Sequence, residues 1–191
     1  TEPMAVGVHA VAKARLERHD VPLVVGCGPV GLAVIAALKL AGAAPIVAAD
    51  FSARRRELAL AMGADVVVDP GADSPYDAWR GAAPWPAGDD APVLPPWIPG
   101  PPLRPAVIFE CVGVPGVIEQ IMVNAPRDAR IVVVGVCMQR DHFEPMFGIN
   151  KELNLQFVLG YTREEFGATL AHIAAGELPV APLITAKVGI E

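Results

Sequence analysis

The chain has 191 residues, of which 53% are hydrophobic and 19% charged, with a formal net charge of −6 and three cysteines. That length suits one domain or a domain and a fraction, and so apolar a chain needs a core covered on both faces of a sheet. The acidic balance, with no basic stripe anywhere, argues against a nucleic-acid partner.

From the amino end, Pro3 suits a first helical turn, and Val8, Val11, Ala12 and Leu16 form an apolar stripe, so residues 3–18 are expected to be helical. A strand at 22–26, a helix at 30–42 and a strand at 45–50 follow, joined by the run Gly26-Cys27-Gly28-Pro29-Val30-Gly31. Asp50 stands nineteen residues past the last of these glycines, at the expected end of the second strand. A dinucleotide needs a strand, a glycine turn, a helix, a strand and an acid in that order. Gly26 permits the tight turn, Gly28 lets the backbone approach a pyrophosphate, and Gly31 lets helix and strand pack closely. A helix opening at Pro29 and Val30 offers free N–H groups and the positive end of its dipole to phosphates. Asp50 would accept hydrogen bonds from the adenosine ribose. Residues 21–38 carry no charge, which is near the lower limit for a membrane span, but the glycines, the prolines and Lys39 break the run. No membrane partner is expected.

A helix over about 53–62 closed by Gly63, and a strand over 65–68, continue the alternation. Residues 71–105 interrupt it: nine of the twenty prolines lie between Pro84 and Pro105, and Trp79, Trp85 and Trp97 all fall in this window. Only residues 74–80 there could form a crossover helix. Three tryptophans are costly to leave in water, so the segment is expected to pack on its own domain or on a neighbour. Beyond it the pattern gives a strand at 106–110, a helix at 116–125, strands at 130–136 and 153–160, and a helix at 163–175 that Gly176 ends. Alternating strands and helices with all-apolar strands indicate an α/β, Rossmann-type doubly wound parallel sheet. Cys27, Cys111 and Cys137 sit singly at strand ends with no C-x-x-C pair, the pattern of reduced cytoplasmic thiols. Thr1-Glu2-Pro3 is an abrupt opening without an initiator methionine, which suggests a piece trimmed from a longer protein.

Several landmarks in order extend the glycine motif: Glu2-Pro3-Met4-Ala5-Val6-Gly7-Val8-His9-Ala10, Asp50-Phe51-Ser52-Ala53-Arg54-Arg55, Gly63-Ala64-Asp65, Phe109-Glu110-Cys111-Val112-Gly113, Val134-Gly135-Val136 and Gly160-Tyr161-Thr162-Arg163. Outside residues 71–105 the chain resembles the nucleotide-binding domain of medium-chain zinc alcohol and polyol dehydrogenases. The resemblance implies a linking helix at 1–20, a nucleotide domain at 21–176, and at 177–191 the start of a return to a catalytic domain that the chain lacks. It also implies NAD as cofactor, with Phe51 and Arg55 at the adenosine end and Arg54 and Arg56 as solvated helix charges. Cys111 and Val112 would wall the adenine and ribose pocket, Val134, Gly135 and Val136 would line the nicotinamide side, and Tyr161, Thr162 and Arg163 would close over it.

In the polyol branch Glu2 would face the catalytic zinc or its water, but only beside the missing catalytic domain; as a helix-start carboxylate it also favours the dipole. His9, on the same helix, reads as a core or surface histidine, and no histidine shows ligand spacing. The parent would pass hydride from an alcohol, activated by zinc as a Lewis acid, to NAD. This chain alone should lack turnover and a tight zinc site. A zinc-free quinone or enoyl reductase of the same superfamily is disfavoured by Glu2 and Asp50, and a methyltransferase by the glycine spacing. That reductase and a non-catalytic NAD-binding regulatory domain stand as the alternatives. The proline-free edge at Leu153–Leu159 suggests a homodimer or homotetramer paired through that strand.

Overall fold

The computed structural model describes residues 1–86, 89, 91–96, 100–184, 186 and 189. Six parallel strands form one sheet: β1 (Val21–Val25), β2 (Val47–Ala49), β3 (Val66–Val68), β4 (Ala106–Glu110), β5 (Arg130–Val133) and β6 (Asn154–Phe157). Their spatial order is β3-β2-β1-β4-β5-β6, two three-stranded halves that meet where β1 lies beside β4. Successive strands are added outward in one direction before that junction and in the opposite direction after it, which opens a crevice above the carboxyl ends of the strands. Val25 is in register with Ala49 on one side and Glu110 on the other, so three strand ends reach the crevice level together.

Side-chain alternation divides the core into two layers. Val24, Ala48, Val107, Phe109 and Val132 face a layer built on helices α1 (Glu2–Ala14), α2 (Pro29–Leu40) and α3 (Ala53–Met62). Leu23, Val47, Ile108 and Ile131 face the opposite layer, of α4 (Pro75–Ala82) and α5 (Val117–Asn124). Helix α2 is apolar all round because the sheet, α1 and α3 enclose it; Leu32 through Leu38 are all buried. Gly7 makes the α1–α2 crossing possible, since a Cβ there would lie 2.5 Å from the Ala33 carbonyl carbon.

Most elements fall where the sequence places them, but several are shorter. The first helix ends at Ala14 rather than at 18, and β6 covers only Asn154–Phe157. The strand expected at 130–136 stops at Val133 because the N–H groups of Val134 and Gly135 both donate to the Glu110 carbonyl, turning the chain out of the ladder. Helix α6 (Pro145–Lys151) is unanticipated; its Lys151 ammonium donates to the Met122, Val123 and Ala125 carbonyls and so closes the end of α5. Helix α7 (Arg163–Ala174) lies against α1.

The two ends of the proline-rich segment, around 74–85 and 103–105, pack on their own domain. Trp79 is 2% exposed on α4, and its Nε1 donates to the Val21 carbonyl at 2.9 Å. Pro84 and Leu103 form an antiparallel bridge, the Arg104 N–H donates to Ala83, and the Arg104 guanidinium donates to the carbonyls of His19 and Ala44. The Trp85 ring lies 4.6 Å from that of His19. All these contacts surround the amino ends of β1 and β4, away from the crevice. Trp97 lies outside the described residues.

Candidate functional site

The turn from β1 to α2 has the geometry that its glycines permit. Gly26 takes φ 91°, in the left-handed region, while its N–H donates to the Ala49 carbonyl at 2.8 Å. A Cβ on Gly31 would sit 1.9 Å from the Gly26 carbonyl oxygen, so helix and turn touch backbone to backbone. Gly28 differs: a Cβ there meets nothing within 4 Å. Space is therefore open in front of Gly28, next to the amino end of α2, which no side chain caps and where Pro29 and Val30 begin the helix.

Asp50 closes the second wall. It is 8% exposed, and its carboxylate accepts from the Cys27 N–H and from the Ser52 N–H, each at 2.8 Å. The acid thus ties the end of β2 to the glycine turn of β1. Arg55 Nη1 lies 3.6 Å from Asp50 Oδ2 with its side chain half exposed. Arg56 is not the solvated charge that the sequence suggests. Its Nη1 donates to the carbonyls of Asp50 and Phe51 at 2.8 and 2.9 Å and lies 3.0 Å from Asp69 Oδ2, fixing the chain just past β2. Arg54 does remain on the surface, paired with Glu57. The Phe51 ring is 74% exposed over Gly71, at the open rim.

Across the crevice, Glu110 organises the ends of β4 and β5. It is 2% exposed, and its Oε1 accepts from Val112 N–H at 2.7 Å and Gly113 N–H at 2.8 Å. Gly113 and Gly135 lie in contact, since a Cβ on Gly135 would be 2.3 Å from the Gly113 nitrogen and 2.6 Å from Glu110 Oε2. Val112 and Val136 project outward from this pair of loops, whereas the Val134 side chain is core. The sheet also brings Cys27 and Cys111 near each other. Burial first, then the Asp50 carboxylate, pushes the Cys27 thiol up to about 12. Burial, the Glu110 carboxylate and Cys27 raise the Cys111 thiol well above its usual range. Both thiols are therefore held protonated and are poor nucleophiles near neutral pH.

Tyr161, Thr162 and Arg163 follow β6 above the same edge of the sheet. Thr162 caps α7 reciprocally: its side chain accepts from Glu165 N–H, and Glu165 Oε2 accepts from Thr162 N–H at 2.6 Å. Glu2 opens α1 and is exposed. The other end of that helix meets Arg130 at the start of β5, through the Ala14 and Arg15 carbonyls, so Glu2 stands on the crevice side.

A sequence profile of the zinc-binding dehydrogenases matches residues 29–175 of this chain. The chain belongs to the zinc-binding dehydrogenase family. It is 32% identical over 190 residues to (R,R)-butanediol dehydrogenase of Bacillus subtilis, covering 100% of this chain and 49% of the relative. It is 30% identical to L-idonate 5-dehydrogenase (NAD(P)(+)) of Escherichia coli, over 97% of this chain and 48% of the relative. The crystal structure of 2R,3R-butanediol dehydrogenase from Bacillus subtilis superimposes with a TM-score of 0.74 at 31% identity, over 95% of this chain and 47% of that one. The chain thus spans about half the length of the curated relatives that it matches.

The open space before Gly28, the uncapped end of α2 and the fixed carboxylate of Asp50 fit a dinucleotide. The donor set does not fit a metal: among the described residues no three His, Cys, Asp or Glu side chains lie close enough to hold one, and Glu2 is a single carboxylate. Three groups of this zinc-binding dehydrogenase chain escape a reading of its sequence as site residues: Arg56, Glu110 and the pair His9 and Glu165. Glu110 had a signal, being the one charge ending an otherwise apolar strand.

Proposed function

We propose that this chain is the NAD-binding half of a zinc-dependent alcohol or polyol dehydrogenase, with residues 1–20 as the linking helix, 21–176 as the nucleotide domain and 177–191 as the return segment. The observation that carries the reading is the open backbone at Gly28, with an uncapped helix end on one side and the Asp50 carboxylate on the other. The pyrophosphate would lie on Gly28, Pro29, Val30 and Gly31, where free N–H groups and the helix dipole favour negative charge. Asp50 keeps lone pairs for the adenosine ribose beyond the two N–H groups that it accepts, while Phe51 and Arg55 border the adenine with Cys111 and Val112. The second mononucleotide lies over β4 to β6, between Val112, Gly135 and Val136 on one side and Tyr161, Thr162 and Arg163 on the other. When bound, the nicotinamide takes the hydride of an alcohol carbon. The chain's own residues bind and orient it, and this placement turns a bimolecular encounter into a held geometry.

The names of the relatives, a butanediol and an idonate dehydrogenase, favour a vicinal diol or polyol as the alcohol. Glu2, on the crevice side, would face the catalytic metal of the whole protein. The β6 edge, with Phe157 61% and Leu159 86% exposed, would pair two copies into a homodimer, or two such pairs into a homotetramer. Three free thiols suit a reducing, cytoplasmic setting, and among the described residues no helix is long and apolar enough to cross a membrane.

Asp50 selects NAD over NADP because a 2′-phosphate would meet a carboxylate already held in place. Calorimetric titration of the chain with NADH and NADPH tests the reading. NADH is expected to bind at least tenfold more tightly, a gap of about 1.4 kcal/mol. Equal or tighter NADPH binding would refute the cofactor assignment, and absence of binding by both would refute the site.

A further inference from the structure

Glu165 serves two elements at once. In the first turn of α7 it accepts the Thr162 N–H as half of a capping box, and its carboxylate meets His9 Nδ1 of α1 at 2.8 and 3.0 Å. The two residues are 156 positions apart, and His9 is 8% exposed. The other contacts at this corner are shallow: the Tyr161 and Phe166 rings lie 5.4 Å apart, and Val158 and Ile173 pack partly buried against the core. The last ladder bond of the β6 strand comes from Val158 N–H to Val133, and Gly160 then turns through a left-handed φ of 62°. Only Thr169 is fully buried along α7, so the helix has no deep anchor of its own. Position along the crevice sets what the corner touches directly: Tyr161–Arg163 follow β6, in the half of the sheet opposite to β2, at whose end Asp50 lies.

We propose that His9 and Glu165 are positioning residues which tie the segment Tyr161–Arg163 to α1 and thereby hold the nicotinamide half of the cleft, leaving the adenosine half independent of them. The proposal rests on the cofactor reading above and adds which end of the ligand the tether serves. Each of the two bonds of the Glu165 carboxylate does a separate task. The bond from Thr162 starts the helix, whereas the bond from His9 fixes where the helix start stands relative to the sheet. Removing His9 leaves the cap intact and frees its position, so the ligand loses the contacts at one end only.

The test compares two ligands on the 191-residue chain by calorimetry: NADH, and ADP-ribose, which keeps the adenosine, pyrophosphate and second ribose but lacks the nicotinamide. Wild type binds NADH more tightly than ADP-ribose. His9→Ala weakens NADH by about tenfold, the lower end for a hydrogen bond to a charged group, and changes ADP-ribose by less than about twofold. His9→Asn, which carries an N–H near the place of Nδ1, recovers most of the NADH affinity. Thermal unfolding of each variant reports whether the fold is retained. The proposal is overturned if His9→Ala leaves NADH binding unchanged, if it weakens both ligands alike, or if wild type prefers neither ligand. A wild-type chain that binds neither ligand overturns the cofactor reading itself, and the tether with it.

Discussion

Replacing Asp50 by alanine removes an acceptor that serves the fold and the ligand together. In the folded chain its carboxylate takes the Cys27 N–H and the Ser52 N–H, each at 2.8 Å, the first buried and the second partly so. A buried N–H left without an acceptor costs about 1–3 kcal/mol, and a partly wet one less, so Asp50→Ala should lose roughly 2–4 kcal/mol of stability before any ligand is present. For a domain of this size that corresponds to a fall of about 5–12 °C in Tm. Hydrogen bonds from the ribose to a carboxylate are worth about 1.5–3 kcal/mol, so NADH affinity should drop by roughly 10- to 100-fold. The preference for NADH over NADPH therefore narrows because NADH binds worse, not because NADPH binds well: a displaced glycine turn is poor for both. Differential scanning calorimetry followed by titration with each cofactor measures both effects. A variant that keeps the wild-type Tm and binds NADPH as wild type binds NADH would show that Asp50 is only a charge gate, and the reasoning would fail.

Three further outcomes follow from the same geometry. Gly31→Ala places a Cβ 1.9 Å from the Gly26 carbonyl oxygen, so α2 must retreat by roughly 1.5 Å; dinucleotide binding is expected to vanish while circular dichroism retains the helical signal, and near wild-type affinity would contradict the contact. Native thiol titration at about pH 8 should find one fast-reacting cysteine, Cys137, because Cys27 is buried and the half-buried Cys111 has its thiol pushed upward; three should react in denaturant, and fast native reaction of two or more would be contrary. Burial pushes the Glu165 carboxyl upward, but hydrogen bonds from Thr162 and His9 prevail and hold it below its ordinary 4.5. A lowered folded-state value gives stability that is complete above 4.5 and is lost as pH falls through the folded value. The denaturant midpoints of wild type and His9→Ala should therefore differ near neutrality and converge in acid, and a gap that widens in acid would reverse the sign.

Periodicity and glycine chemistry by themselves determine much of this protein. All-apolar strands separated by helical stretches dictate a parallel sheet covered on both faces, and Gly26, Gly28 and Gly31 dictate a tight turn with an open helix end, because each is a local requirement on backbone or burial. Asp50 was legible for the same reason: strand, turn and acid occur at fixed spacing within one βαβ unit. Only the tertiary structure shows that Asp50 is held by Cys27 N–H, that Arg56 clamps two carbonyls rather than facing water, and that Glu110 props the loops after β4 and β5. The start of the proline-rich segment is likewise placed by packing, since nothing in its composition says that Trp79 reaches the Val21 carbonyl. The His9–Glu165 pair is the extreme case, joining the two ends of the domain across 156 residues. A hydrogen bond between distant residues imposes no period and no neighbour preference on the chain, so it leaves no trace in the sequence until folding brings its partners together.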